Sequence, residues 1–113
     1  MTAYVFPPPA RPAVAVRGAS SLYAVSRIFC VGRNYAGHAR EMGSDPAREP
    51  PFYFGKSPAA LAPSGAAVPY PPGTDELHHE VELVVAIGRS ALRIAPEQAL
   101  DCVWGLSLIH ISE

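Results

Sequence analysis

Long apolar runs are scarce in this chain. The longest, Leu83–Ile87, is far short of the roughly 20 residues a membrane-spanning helix needs, so no transmembrane segment is expected. The first residues lack a basic stretch followed by an apolar core, and no signal peptide is expected either. Cysteine is scarce as well: Cys30 and Cys102 lie in two separate apolar segments. Two thiols do not make a disulfide framework, and they read as buried free cysteines of a reducing, cytoplasmic compartment. Nine Lys and Arg stand against ten Asp and Glu, for a net charge of -1, and no basic patch stands out. Nucleic acid and membrane surfaces are therefore not expected partners. Long helices have little room among 13 prolines and 9 glycines, although this is below the level of a disordered low-complexity chain. There is no internal repeat. What is present is 113 residues, 49% hydrophobic and 17% charged, enough for one small soluble domain with a modest core, or for a piece of one.

Met1–Pro12 is dominated by Pro7-Pro8-Pro9 and Pro12 and reads as an extended lead-in. Val14 and Val16 alternate with small neighbours, which predicts a short edge strand ending at Gly18. Ser20–Val25 reads as a turn or short helical piece. Arg27–Val31 is a compact apolar run stopped by Gly32 and predicts a buried strand. From Asn34 or Tyr35 to Met42 the pattern turns helical, with Gly43 as the residue that ends it. Ser44–Pro51 is a proline-bearing loop, and Phe52-Tyr53-Phe54 a short strand stopped by Gly55. Pro58–Pro72 weaves through short strands and turns. Residues 77–88 predict the central strand, and Pro96 through Trp104 a helix with proline in its first turn.

That central strand carries the most informative stretch, His78-His79-Glu80-Val81-Glu82-Leu83-Val84-Val85-Ala86-Ile87-Gly88. Side chains alternate along a strand, so Glu80 and Glu82 point the same way. Two carboxylates held side by side in an apolar segment repel each other and are costly to desolvate. A bound cation relieves both costs, and hard oxygen donors favour magnesium, manganese or calcium over zinc. The alternative is a strand whose second face is simply wet. His78 would share that face if the strand is regular, which raises a fragment of an iron-type facial triad as a lesser reading.

Three further motifs carry chemistry. His38 and Glu41 stand at i, i+3, on one face of the expected helix. A carboxylate beside an imidazole fixes its tautomer and raises its basicity, as a base that activates water requires; a solvated helix surface is the alternative. Gly32-Arg33-Asn34-Tyr35 follows a strand and opens a helix, where free amides and Arg33 could meet an anion. An ordinary strand-to-helix turn fits equally well, and the further glycines of a nucleotide loop are missing. Lys56, behind Tyr53-Phe54-Gly55, could meet a substrate carboxylate or a developing enolate, or merely pack its stem over aromatics.

In order and spacing, Ile28-Phe29-Cys30-Val31-Gly32-Arg33-Asn34-Tyr35-Ala36-Gly37-His38, Glu41, Phe52-Tyr53-Phe54-Gly55-Lys56 and His78-His79-Glu80-Val81-Glu82 resemble the fumarylacetoacetate hydrolase family. The similarity spans residues 20–105. Pro50–Phe54 and Val68–Pro72 are most similar to the bacterial branch that cleaves fumarylpyruvate. The resemblance implies an α+β, mainly β fold, a mixed β-roll, usually dimeric, with Mg²⁺ or Mn²⁺ and a small keto-acid substrate. It implies cleavage of a carbon–carbon bond in a β-diketo acid. Glu80 and Glu82 would be metal ligands, His38 and Glu41 the water-activating pair, and Lys56 the group that meets the substrate's developing charge. Arg33 and Tyr35 would bind substrate. A decarboxylase or isomerase acting on oxaloacetate-like acids would use the same metal and enolate chemistry. A non-catalytic β-domain that binds a partner through its proline-rich start is the reading from another class.

The sequence departs from the family after Val103-Trp104-Gly105. The family's third metal ligand, an aspartate shortly beyond this point, has no counterpart here. Leu106–Glu113 instead looks like a translated transposase-type sequencing adapter. The expected organisation is thus a lead-in over 1–19, the first part of a truncated catalytic domain over 20–105, and a non-native tail over 106–113. Such a piece is expected to be inactive, because cation affinity falls with ligand count.

Overall fold

A computed structural model of the chain describes residues 2–32 and 50–112, with side chains through 109. The chain divides into two units, Met1–Ala67 and Val68–Glu113, and each is described by itself. The architecture is mainly β. Three two-stranded antiparallel sheets carry all the described strands, and the described helices are two short 3₁₀ segments.

In the first unit, β1 (Ala13–Ala15) pairs with β2 (Leu22–Ala24), with Val14 opposite Tyr23. Gly18, at φ 74°, supplies the left-handed residue that the connecting turn needs. Val25 N–H donates to the Pro12 carbonyl at 2.8 Å and closes the pair beyond its last rung. Residues 22–24, expected as turn or helix, are therefore a strand. Tyr23 between small and apolar neighbours fits a pleated surface once a partner strand lies alongside.

β3 (Ile28–Gly32) pairs with β4 (Phe52–Lys56) from Ile28 opposite Lys56 to Gly32 opposite Phe52. Gly32 is the last residue of β3, as expected, whereas Gly55 lies inside β4, which runs on to Lys56. A strand tolerates glycine where a neighbouring group needs the space. β3 is also not buried as expected: Phe29 is 67% exposed, with the Arg27 guanidinium 5.8 Å from its ring centroid. Pro58–Ala60 forms a 3₁₀ turn capped by Ser57, whose Oγ accepts from the Ala59 N–H at 3.2 Å. No strand forms over 58–72, where prolines remove the donors a ladder would use.

In the second unit, β5 (His79–Ile87) pairs with β6 (Val103–Ser112). Between them, Pro96–Cys102 forms a 3₁₀ helix. The expected helix thus ends at Cys102, and Val103 and Trp104 open the following strand. The ladder carries a bulge where it passes from Ala86–Gly105 to Ile87–Val103, which leaves Trp104 as the extra residue. Gly88 follows at once. A Cβ there would sit 2.6 Å from the Trp104 Cβ, so glycine is what lets the two strands approach at the bulge. The Gly88 N–H donates to the Cys102 carbonyl at 2.9 Å and seals this end. Leu106–Ser112, within the expected tail, continues the ladder along β5.

Buried apolar side chains are few: among the described residues only Val25 and Cys102 are buried. Both cysteines are free thiols, Cys102 buried and Cys30 half-buried. No described helix is long and apolar enough to cross a membrane.

Candidate metal centre and active site

β5 alternates without interruption from His79 to Ile87. Glu80, Glu82, Val84 and Ala86 are half-buried on one face, while His79, Val81, Leu83, Val85 and Ile87 are exposed on the other. β-branched residues favour the extended backbone, and the extended backbone is what brings the two carboxylates to one side. Their Cα atoms are separated by two residue rises, about 6.6 Å, which two flexible glutamate side chains can close onto a single ion. Opposite them on β6 stand Ile111 for Glu80 and Ile109 for Glu82. Ile109 is half-buried. Residues directly opposite on antiparallel strands share a face, so Glu82 has an apolar neighbour across the ladder.

His78 precedes β5 and is exposed, and His79 faces away from the carboxylates. The facial-triad fragment therefore does not form, because the strand begins one residue too late to enlist His78. Among the described residues no group of three His, Cys, Asp or Glu side chains gathers in one place. The donor set on β5 is thus a pair of hard carboxylates. That chemistry fits magnesium or manganese, which commonly take one or two protein carboxylates and complete their shell with water and substrate oxygens.

Lys56 is the only lysine of the chain and the last residue of β4, half-buried and opposite Ile28. Alternation places it on one face of β4 with Phe54 and Phe52, whose rings stack at 5.8 Å and 29°. It belongs to the first unit, and the carboxylate pair to the second. Arg33, Tyr35, His38 and Glu41, together with the helix expected there, lie outside the described residues. A shallow cleft of about 210 Å³ near Arg89, Gln98 and Asp101 contains none of the sequence-predicted site residues.

One relationship was not expected from the sequence. The Phe52 ring occupies the space where a Cβ of Gly32 would be. A glycine facing an aromatic residue across two strands is the signal for this contact. It becomes readable only when the register is known, and here the two strands are separated by a long connection.

Residues 27–110 match the family model described as fumarylacetoacetate (FAA) hydrolase, C-terminal. The chain belongs to the fumarylacetoacetate hydrolase family. A mitochondrial oxaloacetate tautomerase of Bos taurus is 44% identical over 81 residues, which is 72% of this chain and 36% of that protein. A fumarylpyruvate hydrolase of a Ralstonia species is 48% identical over 61 residues, covering 54% of this chain and 32% of the relative. Among solved structures, a fumarylpyruvate hydrolase from Pseudomonas aeruginosa, crystallised in complex with Mn²⁺ and pyruvate, superposes with a TM-score of 0.89 at 43% identity. That match covers 97% of this chain and 49% of the solved one, so the chain spans at most about half the length of these relatives.

Proposed function

We propose that the whole protein is a divalent-metal hydrolase that cleaves a carbon–carbon bond of a β-diketo acid, with fumarylpyruvate the best candidate substrate. The observation that carries this reading is the Glu80–Glu82 pair on one face of β5, in a family domain whose solved relative is described with Mn²⁺ and pyruvate. Glu80 and Glu82 would hold Mg²⁺ or Mn²⁺. When bound, the cation would supply Lewis-acid polarisation of the keto-acid oxygens.

The remaining work falls to side chains of this chain. His38, oriented by Glu41, takes a proton from water, and the hydroxide oxygen bonds to the carbonyl carbon of the fumaryl arm. The bond from that carbon to the methylene of the pyruvyl arm then breaks, and its electron pair leaves with the pyruvyl fragment as an enolate. Lys56 offsets the negative charge that grows there. The proton first taken from water returns to the enolate carbon, so fumarylpyruvate and water become fumarate and pyruvate. Arg33 and Tyr35 would hold substrate carboxylates. We further propose cytoplasmic residence and a homodimer, with no membrane or nucleic-acid partner.

A second reading has its own support. The identity to an oxaloacetate tautomerase favours keto–enol exchange in a C4 keto acid, which needs proton transfer without hydroxide attack. The test is to supply the whole protein, with Mn²⁺, with fumarylpyruvate and with oxaloacetate in turn. Fumarate and pyruvate appearing in equal amounts, and stopping when the metal is chelated, supports the hydrolase. Accelerated keto–enol exchange of oxaloacetate with no cleavage of fumarylpyruvate would replace it with the tautomerase.

A further inference from the structure

The segment before β1 offers large apolar side chains to solvent. Residues 2–11 are exposed throughout, with Tyr4 at 65%, Val5 at 91% and Phe6 at 81%. Three such neighbours in one short stretch make a patch of the kind that marks an interaction site. Behind them, Pro7-Pro8-Pro9 and Pro12 hold φ at about −65° and keep the backbone extended and stiff. The Pro12 carbonyl accepts from the Val25 N–H, which ties the segment to the β1–β2 pair at its inner end. At about 3.1 Å per residue, the stretch from Pro12 back to Phe6 spans about 19 Å. A domain of roughly 230 residues, twice this chain, has a radius of gyration of about 17 Å. A segment that buries none of its side chains has nothing of its own to offset the entropy of a fixed course. Yet the superposition on the Pseudomonas aeruginosa hydrolase takes in 97% of this chain, so nearly all of the segment has a counterpart there, although the family model begins only at residue 27. A course that recurs in this way needs a surface to hold it.

We propose that Tyr4, Val5 and Phe6 are the tip of an arm that docks on a second copy of this protein, which returns its own arm in exchange. Reach and area favour a second copy as the occupant. A tip carried about 19 Å from its anchor, with every side chain on the way exposed, is placed to meet another body. An aromatic residue buries about 150–250 Å², so the tip and the surface it covers together remove on the order of 800 Å² from water. A twofold axis makes each contact twice and brings the total to about 1,600 Å², the usual size of a specific interface. The stiff proline stretch lowers the ordering cost of docking. The arm gives the proposed homodimer the segment that holds it, and it is independent of the chemistry assigned to Glu80, His38 and Lys56.

The test uses the whole protein in two forms. In the first, a photoreactive benzoylphenylalanine replaces Phe6, and the irradiated protein is run on a denaturing gel. Crosslinked product at twice the mass of one chain is expected. Crosslinks confined to the mass of a single chain would put the arm on its own polypeptide and overturn the proposal. In the second, Tyr4→Ser/Phe6→Ser is compared with the wild type by sedimentation equilibrium. The dimer dissociation constant is expected to rise at least about a hundredfold, as when central aromatic anchors are lost, while the far-UV circular dichroism is unchanged. Equal dimer affinity in the variant and the wild type would remove the arm from the interface and leave the homodimer in place. A wild type that sediments as a monomer would remove both. Neither readout requires turnover, so failure to cleave fumarylpyruvate would count against the hydrolase reading alone. Should the double variant not fold, the crosslink in the otherwise unaltered chain still decides.

Discussion

Glu80 and Glu82 stand on the same half-buried face of β5, with Val81 between them turned to the opposite, exposed face. A shift of one residue in either side chain's phase would put the carboxylates apart and leave no common point for an ion. The strand's regularity is therefore the physical basis of the proposed site. It is supplied by β-branched residues in Val81, Val84, Val85 and Ile87 and interrupted only at the bulge beyond Ala86.

If His38 removes the proton from water, His38→Ala in the whole protein should lower kcat for fumarylpyruvate by about 10²- to 10⁴-fold, the usual contribution of a positioned base. Bound Mn²⁺ should be unaffected, because the proposed metal donors are Glu80 and Glu82 and not His38. Retained cleavage in this variant would contradict the role given to His38. Stopped-flow absorbance of substrate loss measures it.

Lys56 is expected to act on the transition state. Lys56→Met keeps the aliphatic stem and removes the charge, and kcat should drop by about 10²- to 10³-fold, as when a donor to a developing anion is lost. A rise in KM with unchanged kcat would instead assign Lys56 to ground-state binding of a substrate carboxylate.

The bulge supplies a prediction about stability. Gly88→Ala places a methyl 2.6 Å from the Trp104 Cβ and 3.2 Å from its Cγ. Overpacking of this kind costs about 1–3 kcal/mol. The midpoint of a urea titration of the whole protein, followed by circular dichroism, reports the loss. An unchanged midpoint would mean that the bulge relaxes freely.

The reading of Leu106–Glu113 as non-native is tested by the gene. The frame is expected to continue past Gly105 with a different sequence that includes an aspartate. A genomic frame encoding Leu-Ser-Leu-Ile-His-Ile-Ser-Glu would contradict that reading and make the octapeptide's pairing with β5 a native feature.

The parts of the structure legible in the sequence are those set by local pattern. The β-branched run over His79–Ile87, closed by Gly88, announces a strand, and with it the common face of Glu80 and Glu82. The apolar runs at Ile28–Val31 and Phe52–Phe54 announce β3 and β4. What the sequence obscures depends on pairing at a distance. Leu22-Tyr23-Ala24 is too short to show a period and becomes a strand only because β1 lies beside it. Gly32 and Gly55 look like strand ends. Gly32 does end β3, but Gly55 proves to be interior because the opposite strand carries the ladder on to Lys56. The inclusion of His78 failed for a similar reason, since alternation gives its phase but not the residue at which pairing begins.

The central claim is that Glu80 and Glu82 jointly hold a divalent cation. It is tested most directly by titrating the metal-free whole protein with Mn²⁺, without substrate, and following free Mn²⁺ by electron paramagnetic resonance. The wild type should bind one Mn²⁺ per protomer. Glu80→Gln and Glu82→Gln should each weaken it by at least about a hundredfold, beyond what loss of an outer-sphere partner costs, while both variants keep the wild-type melting temperature in the absence of metal. Equal Mn²⁺ affinity in the wild type and both variants would contradict the account.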